Sequence, residues 1–116
     1  MNRAPIKPNI TADVLDKIDI RAGTILAVDD VPNSDKLLQL RVTFGDHERI
    51  ILSGMKQERA NPQELVGRQT LFVVNLEPRK MRGIESNGMI LMAEDSSGKL
   101  HFINPDDDTE LGSVVS

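Results

Sequence analysis

Arg79, Lys80 and Arg82 place three cations within four positions of one another. Two guanidinium planes can take phosphate oxygens bidentately and an ammonium adds a point charge, so the chemistry this spacing offers is the capture of a polyanion. Such contacts supply affinity without reading sequence. Pro78, directly before them, fixes φ and cannot continue a hydrogen-bonded ladder, which holds the basic segment off the sheet. In a chain of formal net charge −4 this is the one place where positive charge is concentrated. The local cluster, not the total, therefore points to an anionic partner. Lys36, following Ser34 and Asp35 in a turn, is a further candidate contact, and Arg21, Ser34, Arg41 and Lys56 are candidates to widen the patch.

The residues able to do covalent or metal chemistry are sparse. His47 stands between Asp46 and Glu48, and His101 precedes Phe102; with two isolated histidines and no cysteine, a zinc site of the usual spacing cannot be built. Ser53 and Ser86 have no base beside them in a nucleophile motif, and read as hydroxyls that satisfy turns. Asp106, Asp107 and Asp108 lack the alternating ligands and glycine of a calcium loop, and there is no glycine-rich phosphate loop. The sequence calls for no enzymatic activity, no metal and no cofactor. With no Trp or Tyr and only three Phe, it also lacks the stacking platform of a generic single-strand binder.

The basic triplet must be positioned by the stretch 71–93. An apolar run over 71–76 reads as a buried strand ending near Leu76, and a second apolar run over 89–93 follows the basic loop. Gly83 and Gly88 release the backbone on either side of Ser86. Upstream, Thr11 is an N-cap with Asp13 in the first turn, and Val14, Leu15 and Ile18 give the apolar spacing of one short helix. A strand over 18–28 carries Gly23 where a bulge would let it curl. The segment 38–44 has a clean period of two, with Leu38, Leu40, Val42 and Phe44 inward and Gln39, Arg41 and Thr43 outward. Gly45 and Asp46 close it as a hairpin onto a third strand over 49–53. Asn61 and Pro62 form an N-cap and N1 pair for a helical turn over 63–66, stopped at Gly67. A last strand is expected over 100–103, and Leu111, Val114 and Val115 are apolar enough to need covering. Short strands with glycine-rich turns, and one helical turn between the third and fourth, make an all-β OB-fold barrel with a C-terminal extension.

A length of 116 residues suits one domain with a modest core. The expected division is an extended N-terminal arm over 1–12 and the barrel with its extension over 13–116. No run of about 18 apolar residues exists, so no membrane span is expected; with no cysteine and no signal-like start, the reading is soluble and cytoplasmic. Charge is uneven: from 17 to 82 there are eleven Lys or Arg against nine Asp or Glu, and from 83 to 116 one Lys against seven acids. The two portions should face different surroundings.

Ser34-Asp35-Lys36-Leu37, Ser53-Gly54, and Asn75-Leu76-Glu77-Pro78-Arg79-Lys80-Met81-Arg82-Gly83 with Ser86 and Gly88-Met89 together resemble the tRNA-binding domain family. Its members occur at the C-terminus of bacterial methionyl-tRNA synthetases, as stand-alone dimeric tRNA-binding proteins and within cofactors of eukaryotic synthetase complexes. The resemblance runs from about Asp13 to Val115. It implies an OB-fold that binds tRNA by shape, largely without sequence preference, in company with an aminoacyl-tRNA synthetase. It assigns RNA contact or loop shaping to Lys36, Asn75, Arg79, Lys80, Arg82 and Ser86, with Asn75 and Ser86 holding the loop by hydrogen bonds. For bacterial members it further implies a homodimer through the segment after the barrel, which would give Phe102, Ile103, Pro105 and Leu111 a reason to be apolar. This chain departs from the more basic members in its acidic total and tail. Two other readings share the fold: a secretion-related chaperone that binds unfolded polypeptide, and an assembly module that dimerises or tethers a synthetase without RNA.

Overall fold

The structure, a computed structural model, describes residues 4–116; positions 1–3 of the expected arm lie outside the described residues. Residues 4–10 join no helix or strand. Thr11 then caps α1 (Ala12–Leu15), its Oγ1 accepting from the Val14 N–H at 3.3 Å. A single turn is too short to be stable alone, and α1 buries none of its residues.

Five antiparallel strands form the body: β1 (Ile20–Asp30), β2 (Leu38–Thr43), β3 (Glu48–Ser53), β4 (Gln69–Val73) and β7 (Met89–Ile90), in the order β3-β2-β1-β4-β7. The sheet curls until the chain entering β7 meets β3, where the Asn87 N–H donates to the Ile50 carbonyl at 2.8 Å. The result is the nearly closed OB barrel that the strand pattern called for. Leu40, Val42, Phe44, Ile25, Ile51, Phe72 and Ile90 fill it, and Phe44 meets Phe72 edge to face at 5.6 Å. Alternation along β2 is as the period of two requires, with Leu38, Leu40 and Val42 buried and Arg41 exposed.

β1 holds the barrel together by serving two partners. Its first half pairs with β4, from Ile20↔Val73 to Thr24↔Gln69, and its second half with β2, from Thr24↔Thr43 to Asp30↔Leu38. The bulge that bends it sits between Ile25 and Ala27, not at Gly23. Gly23 answers a different need: a Cβ there would stand 2.8 Å from the Phe44 ring and 2.9 Å from Val42 Cγ1. β1 also begins two residues later than expected, because the Asp19 N–H is taken by the Asn75 side chain at 2.9 Å.

Between β3 and β4 the chain makes two 3-10 turns, Lys56–Glu58 and Pro62–Leu65, where one helical turn was expected. Asn61 does cap the second, accepting from Gln63 N–H at 3.3 Å, and Leu65 is wholly buried against the barrel. The second apolar run of the central stretch is two strands, not one. Leu91 N–H closes the last barrel bond to Leu71 O at 3.0 Å, after which β8 (Met92–Glu94) leaves to pair with β9 (Leu100–Phe102). The end of the chain returns to β1: the Ala22 N–H donates to Ser113 O at 3.0 Å, the Val115 N–H to Ile20 O at 2.8 Å, and Val114 bridges Arg21. It covers part of the edge that β2 leaves free.

Candidate nucleic-acid interface

The basic segment is a hairpin, not a loop. β4 stops at Val73, three residues short of the expected end, and β5 (Arg79–Met81) pairs with β6 (Ile84–Ser86). The two connecting residues are Arg82 at φ 52° and Gly83 at φ 80°. Two successive positive φ values make the tight turn whose twist matches that of flanking strands. Glycine adopts this freely, whereas arginine does so at a cost.

Registration of the hairpin decides how its charges point. Lys80 faces Glu85 across the ribbon, on one side of the pleat; Arg79 and Met81 share the other side with Ser86 and Ile84. Arg79, Lys80 and Arg82 are all exposed, and among the described residues none of them makes an ion pair. The three thus ride on one hairpin, with Lys80 opposite a carboxylate and Arg79 and Arg82 free of one.

Ser86 fixes this hairpin to the barrel. It is buried, and its Oγ accepts from the Leu52 N–H at 2.9 Å, a donor that has no ladder partner on that edge of β3. Asn75 ties down the other root: its Oδ1 accepts from Asp19 N–H and its Nδ2 donates to Lys17 O at 2.7 Å. Arg49, which the sequence marks only as the start of a strand, completes the anchorage. Its Nη1 donates to Val74 O at 2.6 Å and reaches the Asn87 carbonyl at 3.4 Å, spanning the entry to the hairpin and the exit from it. No local signal distinguishes Arg49 from any other cation flanking a strand.

Lys36 lies exposed in the turn between β1 and β2, whose shape Ser34 sets by accepting from the Lys36 and Leu37 N–H groups at 3.3 and 3.1 Å. The Lys36 carbonyl accepts from Lys56 N–H at 3.2 Å, so these two lysines adjoin. Ser53 is paired with Leu38, and its neighbour Leu52 holds Ser86, which lies opposite Arg79. The same end of the barrel therefore carries Lys36, Lys56 and the root of the basic hairpin. Lys56 is engaged with Asp30 at 3.1 Å. Arg41, further along β2, is paired with Glu48 at 3.0 Å. Arg21 lies apart, beside the chain end, in a two-pronged pair with Asp19 at 2.9 and 3.1 Å. That pairing holds the Asp19 carboxyl below its usual range.

The remaining candidates take structural places. His47 stacks on Phe44 at 5.2 Å; its Nε2 accepts from Arg49 at 3.1 Å, so Nδ1 carries the proton shared with Asp46 at 2.6 Å. His101 Nε2 meets Asp95 at 2.9 Å, a contact that draws the Asp95 carboxyl far below the normal carboxylate range. Of the residues expected at a subunit contact, Phe102 is half-buried and packs against the core, while Ile103 and Leu111 are exposed and Pro105 half-buried.

Comparison with known proteins places this geometry. A family model described as "Putative tRNA binding domain" matches residues 20–114. Over 111 residues the chain is 50% identical to methionine–tRNA ligase of Parabacteroides distasonis, covering 96% of this chain and 16% of that protein. It thus spans about a sixth of the length of such relatives. Among solved structures, a MetRS-related protein from Pyrococcus horikoshii superposes with a TM-score of 0.89 at 33% identity, over 95% of this chain and 100% of that one. The CsaA chaperone protein from Picrophilus torridus gives 0.81 at 27%, over 93% and 100%. A match across nearly all of the barrel, together with half-identity to a segment of a tRNA ligase, shows that the chain belongs to the tRNA-binding domain family.

Proposed function

We propose that this domain grips folded tRNA by its phosphates and its shape, largely without regard to sequence. It does no chemistry of its own and serves as a cytoplasmic accessory to an aminoacyl-tRNA synthetase of the methionyl type. The observation that carries the reading is the hairpin bearing Arg79, Lys80 and Arg82, none with an ion-pair partner among the described residues, clamped to the barrel by Ser86. Lys36 extends the contact on the same rim, with Ser34 shaping its turn; Lys56 and Arg41 stand behind it, each offset by a carboxylate. Arg21, apart and paired, contributes least. Asn75 and Ser86 act by holding the hairpin in place. Two copies associate through apolar side chains outside the barrel, which doubles the basic surface offered to one RNA.

The test is gel retardation of unfractionated tRNA by an Arg79→Glu/Arg82→Glu variant. Retardation should disappear while the thermal melt stays unchanged; an unaltered shift removes the hairpin from the binding site. A second reading, capture of unfolded polypeptide, is favoured by the likeness to a CsaA chaperone protein. Salt separates the two. Counterion release makes RNA affinity fall steeply as salt rises, whereas apolar peptide binding does not weaken that way.

A further inference from the structure

A second cationic feature lies away from the hairpin. Between the two 3-10 turns and the β8–β9 hairpin runs an open cleft of about 760 Å³, lined among others by Arg59, Arg68, Lys99, His101, Glu58 and Glu64. Its floor is unusual: the guanidinium carbons of Arg59 and Arg68 stand 4.8 and 4.4 Å from the centroid of the same Phe102 ring. Stacking on an aromatic face orients a guanidinium without consuming its N–H donors, which stay available in the ring-parallel plane. Arg59 is partly engaged by Glu64 at 3.7 Å. Arg68 has as its partner the neutral amide oxygen of Asn104 at 3.1 Å, so its charge is oriented and not cancelled. Lys99 is exposed at the turn of the β8–β9 hairpin and makes no ion pair among the described residues.

The cleft is also connected to the basic rim. Lys56 sits against Lys36 at one end of the first 3-10 turn, and the Arg59 N–H donates to Lys56 O at 3.5 Å at the other. One such turn advances roughly 6 Å, so the rim and the cleft adjoin along the chain. We infer that the Arg59, Arg68 and Lys99 cleft takes phosphodiester groups of the same tRNA, extending the contact from the hairpin round the barrel onto the β8–β9 side. The inference rests on the tRNA reading above. It assigns a role to Lys99, the one cation of the otherwise acidic stretch 83–116, which it sets beside two arginines from the more basic middle of the chain. Phe102 serves as the support for the two arginines and does not stack on a base.

The experiment is retardation of unfractionated tRNA at several salt concentrations by the intact chain and by Lys99→Glu and Arg68→Gln. Each variant should weaken binding by roughly three- to tenfold and lower the slope of log affinity against log salt by about one, as loss of a phosphate contact requires. Lys99→Glu replaces an exposed side chain, so it keeps the question open to test if Arg68→Gln unfolds. Should Lys99→Glu and a folded Arg68→Gln both retain the parent affinity and slope while Arg79→Glu/Arg82→Glu abolishes retardation, the cleft is excluded and the hairpin reading stands. Should the parent chain itself fail to retard tRNA, both fall.

Discussion

Ser86 illustrates how little of this interface is held by the charges themselves. Its hydroxyl supplies the acceptor for the Leu52 N–H in a site with 4% exposure, so removing it leaves a buried donor without a partner. A cost of about 1–3 kcal/mol is expected for Ser86→Ala, read as a lowered melting temperature. Because the same bond roots the basic hairpin, tRNA affinity should fall as well, although no charge has changed; a variant with parental melting and parental affinity would deny Ser86 that role. Arg82 presents the complementary case. Its φ of 52° is strained for a side chain, and the fold tolerates it at the position where a cation is presented furthest from the barrel. Arg82→Gly should therefore relieve local strain and leave stability equal or slightly raised, while tRNA binding weakens. Melting and retardation measured on the same preparation would separate the two effects.

At the level of elements, periodicity carried the barrel and failed where pairing is decided by distant residues. β2 and β3 were legible because alternating side chains at 38–44 and the Gly45-Asp46 turn are local signals, and Asn61-Pro62 marked a helical start for the same reason. The division of 89–93 at Leu91 was not, since it depends on whether Leu71 or Phe102 is the next partner. Nor was the bulge near Leu26, because Gly23 answers to the Phe44 ring instead. The candidate site followed the same rule: the basic triplet was visible as composition, but its pleat, with Lys80 against Glu85, required the register of β5 on β6. Arg59 and Arg68 gave no signal at all until both were placed against Phe102 in space. One element has a pH dependence that follows from its closure. Asp95 accepts from the Ser97 and Lys99 N–H groups at 2.9 and 3.1 Å and from His101, and these bonds hold its carboxyl well below the usual range, His101 first among them. A depressed folded-state pKa contributes stability that is present above the unfolded value of about 4 and is lost as pH falls below it. Amide exchange in β8 and β9 should accelerate relative to the barrel below about pH 4, and Asp95→Asn should already show faster exchange at neutral pH, with little further change on acidification.

For the whole molecule, the balance of covered and uncovered apolar surface decides where a second copy would attach. Of the residues expected from sequence, Ile103 and Leu111 are exposed but only at 37% and 36%, Pro105 is half-buried, and the Phe102 ring is occupied by two arginines. The ends of the chain are barer: Val14, Leu15, Ile18 and Val114 are 45%, 55%, 46% and 60% exposed. They are drawn toward one another because Asn75 ties Lys17 and Asp19 to the barrel and Val114 bridges Arg21. A one-turn helix with no buried residue gains little by forming on an isolated barrel, so α1 is the element whose order a partner would account for. A stable interface must bury on the order of 1,000 Å² or more, which favours the strip with more and barer apolar side chains over Ile103 and Leu111. The expectation is a dimer by light scattering at micromolar concentration, converted to monomer by Val14→Asp/Leu15→Asp with the barrel melt retained. Ile103→Asp/Leu111→Asp should leave the dimer intact. The reverse outcome would return the contact to the segment after the barrel, and a parent chain that scatters as a monomer would remove dimerisation from the account of tRNA binding.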